Sequence, residues 1–419
     1  MKAGISIRRA LGLGVVLGAG AACSPAAPAR AALSGDLPSL KAAVATAQSS
    51  GELGRSRVNE LARAVLRREL MSAQGAGVAA RIDELGGCVD AAESSLSERA
   101  KGDDESAAEA RLLLVDRKKQ GADTDAASDP RPELRAVSAR AATANSERTL
   151  RVQLMLDGDQ RVRRAALSAA REARDPADVE ALLEAARLDP DAEVQSRAVL
   201  ALGGIGGARA VLGLSDRWQR AGDELRVSIV EAWSKPDSFA AGGEGELVRA
   251  AELAQGLPAL GAALVLAEHQ AGPPGLADGL LVRAIAEGSV EERRFVLRLV
   301  PWTVPGVPAA VHAASLAGPD AVRVVALARR LDAEGSKPET LTPLRELARA
   351  RSLTIALQAR AALAVAGDAS VKPLLESDLK AESAGQRRLA AYGLIRLGDF
   401  TRAASALADD SPSVRTQVA

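Results

Sequence analysis

The chain has 419 residues and sets 54 Lys and Arg against 54 Asp and Glu, a formal net charge of +0. That balance excludes the basic footprint of a nucleic-acid binder. Hydrophobic residues reach 47% while aromatics are 2%, so Ala, Leu and Val carry the core, which favours close-packed helices over sheets and leaves few rings to stack on sugars or bases.

The first predicted element is an export signal. Lys2, Arg8 and Arg9 precede the uncharged apolar run Ala10 to Ala22, the order of a basic n-region and a short h-region. That run is too short to span a bilayer, which takes about 20 residues. Gly20-Ala21-Ala22-Cys23 is similar to a bacterial lipobox, which makes Cys23 the expected lipidation site. The competing processing site is Ala29-Arg30-Ala31, which would discard Cys23. The signal peptide is thus expected over 1–22 and a Pro- and Ala-rich tether over 23–36. Either route leaves no pair of cysteines for a disulfide, and Cys88 reads as a small buried hydrophobe near Leu85.

From 37 to 120 the spacing predicts a helical N-terminal region. Leu61, Val65, Leu66 and Leu70 form one stripe, and Ile82, Leu85 and Val89 another. The polar stretch around 121–128 reads as a linker. Beyond it, from 129 to 419, a signature recurs about every 32 residues or at multiples of that, the period of stacked helix pairs. Asp159-Gln160-Arg161-Val162-Arg163 is its clearest copy. Asp191 with Val194, Asp223 with Arg226, Asp320 with Arg323 and Ser411 with Arg415 repeat it. In the clearest unit Asp159 serves as N-cap, Val162, Ala166, Leu167 and Ala170 share a face, and Pro176 opens the next helix. Because one such unit cannot bury its own apolar face, the units must stack.

These copies resemble HEAT repeats. The resemblance implies an all-α fold, a right-handed α-solenoid of stacked antiparallel helix pairs with the helical N-terminal region before it. It also implies that the signature helix is the second of each pair and lines the concave face, and that Asp and Arg of successive units bond in a ladder. Asp159, Arg163, Asp191, Arg226, Asp320, Arg323 and Arg415 are therefore expected to cap helices and join units.

Few residues carry the marks of a chemical site. His269 and His312 are the only histidines, too few for the convergent ligands of a usual metal centre. Glu268-His269 is single and reversed in order beside the His-Glu pairs of iron-holding HEAT-like enzymes. Gly203-Gly204-Ile205-Gly206-Gly207 follows a helix, so it reads as a turn and not a phosphate loop. Trp218, Trp233 and Trp302 suit core filling or a partner anchor. Arg293, Arg294, Arg298, Arg329, Arg330, Arg387 and Arg388 suit a solvated or ladder role, or basic patches. No cofactor, metal or catalytic residue is expected.

The expected function is a non-enzymatic scaffold of the bacterial cell envelope that presents its solenoid surface to a protein or peptide. It would be an outer-membrane lipoprotein facing the periplasm, or soluble there, touching the membrane only through a lipid at Cys23. The alternative is a HEAT-like lyase or a small-molecule-handling enzyme or chaperone. A HEAT-like base-removing glycosylase is disfavoured by export and by the zero net charge.

Overall fold

The computed structural model describes residues 27–34, 36–75, 77–85, 89–116 and 125–419. The expected signal peptide, Cys23 and Cys88 lie outside the described residues. Every regular element among those described is helical, so the fold is all-α. In chain order the α-helices begin with α1 (Ala27–Ser34), α2 (Leu37–Ser49), α3 (Arg55–Ser72), α4 (Gly77–Glu84), α5 (Glu93–Arg99), α6 (Glu105–Asp116) and α7 (Pro132–Ala141). Next come α8 (Arg148–Leu154), α9 (Gln160–Ala173), α10 (Val179–Leu188), α11 (Ala192–Ile205), α12 (Gly207–Trp218), α13 (Asp223–Trp233), α14 (Pro236–Ser238), α15 (Glu244–Leu253) and α16 (Gly256–His269). The series ends with α17 (Leu276–Glu287), α18 (Val290–Leu299), α19 (Val307–Leu316), α20 (Asp320–Glu334), α21 (Pro338–Leu347), α22 (Leu353–Val365), α23 (Lys372–Asp378), α24 (Ala384–Arg396), α25 (Phe400–Ala403) and α26 (Pro412–Val418).

The chain forms two compact units, one of Met1–Gly102 with Lys372–Ala419 and one of Asp103–Val371. The second unit is an α-solenoid of antiparallel helix pairs. Its second helices α7, α9, α11, α13, α16, α18, α20 and α22 pack in that order, each on the next. The pair α8–α9 and its neighbour show how sequence sets this. Asp159 caps α9 by accepting from the Arg161 amide at 2.8 Å. Val162, Ala166, Leu167 and Ala170 all point into the core. Arg174 ends α9 at φ 50°, a left-handed position that usually takes glycine. Asp191 then caps α11 through the Val194 amide at 2.9 Å. One continuous apolar core runs from Ala136 to Ala326.

The same units differ from the boundaries expected at 37–120 and 129–419. Helix α6 lacks the signature yet packs against α7 as its pair, so the second unit begins at Asp103. In the first unit, α3 packs on α26 and α2 packs on the 3₁₀ turn Ala404–Ala408. Leu40, Val44, Leu61 and Val65 share a core with Ala404, Leu407 and Ala408. The tether expected over 23–36 is helical from Ala27. Ala29 and Ala32 are buried there against α2 and α3: alanine adds little apolar surface, but its small size lets helices approach closely and its helix propensity is the highest. Of the linker expected over 121–128, residues Asp125–Ser128 form a 3₁₀ turn.

Candidate functional site

The signature residues fall into two geometric roles, and the division differs from the expected ladder. Asp159 and Asp191 are caps, and their side chains also pair with Arg161 at 3.2 Å and Arg164 at 2.9 Å. The ladder carboxylates are the aspartates two positions earlier. Arg135 Nε donates to Asp157 at 2.8 Å, and Arg163 Nε to Asp189 at 2.8 Å. Arg387 does the same to Asp409 at 2.7 Å. Each ladder aspartate also accepts from a backbone amide two residues on: Asp159, Asp191 and Ser411 donate to Asp157, Asp189 and Asp409 at 2.8, 2.9 and 2.8 Å. The hydrogen bond from Arg135 holds the Asp157 carboxyl below the ordinary aspartate range. Burial works against charge at Asp409, but the bonds from Arg387 and Ser411 outweigh it and lower its pKa too. Carboxylate bonds raise Arg135, Arg163 and Arg387 above the usual guanidinium value. These residues carry the stack, so they are not free for chemistry.

The ladder lapses in the middle of the second unit. Gln195 stands in an arginine's place and donates to the Asp189 carbonyl at 2.6 Å. Among the described ion pairs Arg226 and Arg323 meet carboxylates of their own helices, Asp223 at 3.4 Å and Asp320 at 2.9 Å, and Arg226 Nε also donates to the Trp218 carbonyl at 3.3 Å. Arg226 also lies over Trp218, 5.4 Å from the ring centre. Arg293 faces Gly318, where a Cβ would come within 3.4 Å of its Nη2. Arg329 donates to the Val300 carbonyl at 2.8 Å, and Arg330 to Ser315 Oγ at 3.0 Å. Arg294 and Arg388 are half-buried and Arg298 is exposed. Trp218 and Trp233 pack with ring centres 5.2 Å apart, Trp233 being wholly buried, and half-buried Trp302 lies against the same core. His269 stacks on Phe239 at 4.5 Å and His312 is exposed. The glycine run 203–207 closes α11 and opens α12, a turn between helices. Among the described residues no three His, Cys, Asp or Glu converge as a metal site, and no helix is long and apolar enough to cross a membrane.

Where the ladder lapses, a cleft opens at the N-terminal ends of the second helices. Between α13, α16 and α18 it has a volume of about 720 Å³ and is lined by Asp223, Glu224, Val227, Leu257, Glu291 and Glu292, with Gly256 and Ser289. A second concavity of about 570 Å³ adjoins it along α11 and shares Asp223 and Glu224. It adds Glu193 and the hydroxyls Ser196 and Ser228, whose oxygens are 2.8 Å apart. Five carboxylates therefore line the two concavities, and no Lys, Arg or His does. Each acidic residue sits in the first turn of a helix, where the macrodipole favours negative charge. Glu292 is occupied by the capping box with Ser289 and Glu193 by Arg164 and Arg197. Glu224 and Glu291 make no ion pair among the described residues. Val227 is exposed and Leu257 half-buried, so the cleft has apolar floor between acidic rims. The signature did not mark this cleft, because its lining is brought together from three helices and, apart from Asp223, lies outside the named signature residues.

Residues 147–233, the segment carrying α8 to α13, match the family model described as HEAT repeats. No curated protein shows significant similarity to the chain. Among solved structures, one described as an engineered protein is similar at 18% identity, with 88% of this chain and 98% of that chain covered and a TM-score of 0.27.

Proposed function

We propose that this chain is a non-enzymatic scaffold that docks a basic, leucine- or valine-containing segment of a protein partner in the cleft between α11 and α18. Stacked helix pairs present extended surfaces suited to protein partners. The observation that carries the finer reading is the cleft lining, where Glu224 and Glu291 stand without an ion pair among the described residues beside Val227 and Leu257. A basic segment gains from those charges, while a nucleic-acid backbone is repelled by them. The test uses a synthetic peptide of alternating Lys and Leu, with a Glu/Leu peptide as control. The double variant Glu224→Lys/Glu291→Lys is expected to bind the Lys/Leu peptide at least about tenfold more weakly, with the loss shrinking as salt rises. Neither residue holds a fold contact among the described ion pairs, so the helical signal should not change. Equal binding of the two peptides by the native chain would overturn the reading.

The envelope location belongs to the same proposal. Helix α1 supports processing at Cys23 over processing after Ala31. The second route would cut α1 in two and separate Ala29 from Ala32, both of which are buried in the core of the first unit. With cleavage before Cys23, only residues 24–26 separate a lipidated cysteine from α1, a reach of about 10 Å. The anchor would then hold the first unit against the membrane surface. Mass spectrometry of the mature chain is expected to find Cys23 as the first residue with acyl chains attached. An unmodified start at Ala32 would contradict it.

A further inference from the structure

Four arginines of this chain make the same set of bonds. Arg135, Arg163, Arg387 and Arg415 each donate from Nη1 to two carbonyl oxygens just before their own helix. The acceptors are Asp129 and Pro130 at 2.9 and 3.1 Å, Asp157 and Gly158 at 3.0 and 3.2 Å, Ala381 and Glu382 at 2.8 and 2.7 Å, and Asp409 and Asp410 at 2.6 and 3.0 Å. Their Nε atoms then take a carboxylate from the next helix pair, Asp157, Asp189 and Asp409 in the first three cases. Arg415 takes Glu69 of α3 at 2.7 Å, 346 residues away in sequence. Both side chains are buried, 8% and 4% exposed. Helix α3 thus supplies to the last signature helix what a following repeat supplies to the others. The surrounding contacts agree. Gln48 Nε2 donates to the Thr401 carbonyl at 2.8 Å, and Thr401 Oγ1 to the Leu53 carbonyl at 3.2 Å. Lys41 pairs with Asp410 at 2.6 Å, and Arg55 lies over Phe400.

We infer that helices α1 to α3, in which α2 and α3 both pack on α1, form a transferable terminal repeat, and that the face of α26 accepts it from a second copy as it does from this chain. Among the described residues the α3–α26 contacts are noncovalent and join segments far apart in sequence, so a second copy can supply the same partners. Within one chain the high effective concentration favours self-docking. When that is blocked, the same face and the same three helices make a contact between copies, the domain-swapped form of the junction.

Complementary charge reversal tests this in the full chain. Glu69→Arg sets two guanidinium groups face to face in one variant, and Arg415→Glu sets two carboxylates face to face in the other. Alone, each variant is expected to be monomeric, to lose about tenfold or more of the amide protection of α3, and to give no carbodiimide crosslink between Lys41 and Asp410. Protection of α9 to α13 should be unchanged in both. On mixing, the reversed charge at position 69 of one copy meets the reversed charge at 415 of the other. A complex of twice the mass should form, with Lys41–Asp410 crosslinks joining one isotope-labelled variant to the other. Mixtures that stay monomeric with α3 unprotected, or single variants that keep the crosslink within one copy, would overturn the inference. If either variant loses protection in α9 to α13 as well, the decision passes to native chain co-refolded from labelled and unlabelled pools at rising concentration. Mixed-isotope Lys41–Asp410 crosslinks should then rise with concentration, and crosslinks confined to single copies would overturn it.

Discussion

Replacing Arg151 with alanine is expected to destabilise the pairs α7 to α10 by about 3–5 kcal/mol, the cost of leaving one partner of a buried ion pair alone. Arg151 and Asp178 are both 0% exposed and meet at 2.7 Å. The same guanidinium donates to the Ala142 and Ala144 carbonyls at 2.9 and 3.0 Å, and reaches Asp175 at 3.5 Å. One side chain therefore ties the end of α7 to the turn before α10. Without it Asp178 keeps a 3.4 Å contact to Arg148, and the buried Ala142 carbonyl and the more exposed Ala144 carbonyl lose this donor. Because repeat arrays need not unfold as one cooperative unit, the measurement is amide exchange resolved by helix. Exchange in α8 and α10 should accelerate at least about a hundredfold, while α18 to α20 should change little. The double variant Arg151→Met/Asp178→Leu should recover much of the loss, since apolar replacement of both partners is often near neutral. A loss as large in the double variant as in Arg151→Ala would contradict this account of the pair.

The second large effect is expected at adjacent glycines with opposite sign. A Cβ on Gly203 would lie 2.5 Å from Ala232 Cα and 2.8 Å from the Ala232 carbonyl oxygen. At this crossing α11 and α13 touch backbone to backbone, and Ser238 Oγ binds the Gly203 carbonyl at 3.1 Å. Gly203→Ala must push the helices apart beside buried Trp233, at a cost of about 1–3 kcal/mol. At Gly204 the nearest atom is Arg171 Cγ at 3.8 Å, an ordinary contact. Gly204→Ala should therefore stabilise by up to about 1 kcal/mol through helix propensity alone. Thermal or urea melts of the two variants in parallel check the sign. A Gly203→Ala chain as stable as the native one would contradict the backbone contact at this crossing.

The sequence made the helix pairs legible wherever the signal sits inside one helix. Asp159 and Asp191 as caps, the Val162 to Ala170 face, and the break at Pro176 all follow from residues within a few positions of one another. The expected bond between successive units holds at Asp191, which takes Arg164 at 2.9 Å, but the recurring ladder carboxylate lies two residues earlier. In Asp157-Gly158-Asp159 and Asp189-Pro190-Asp191 the first aspartate reaches the arginine of the preceding unit and the second caps the helix. The duplicated acid was the available signal. Helix α1 was missed because alanines leave no hydropathy contrast. The junction of Glu69 with Arg415 depends on contacts between distant segments, which no local pattern encodes. The cleft has the same origin: Glu224, Leu257 and Glu291 each look ordinary on their own helix, and only the stacking of α13, α16 and α18 brings them to one place.

We propose that the ladder carries the structure and that the cleft between its lapsed positions carries the function. Amide exchange of the full chain with and without saturating Lys/Leu peptide tests it most directly. Protection is predicted in the first turns of α13, α16 and α18, and in the adjoining turn of α11, with α7 and α9 unaffected. Protection concentrated elsewhere on the chain, or none at a peptide concentration that saturates binding, would contradict it.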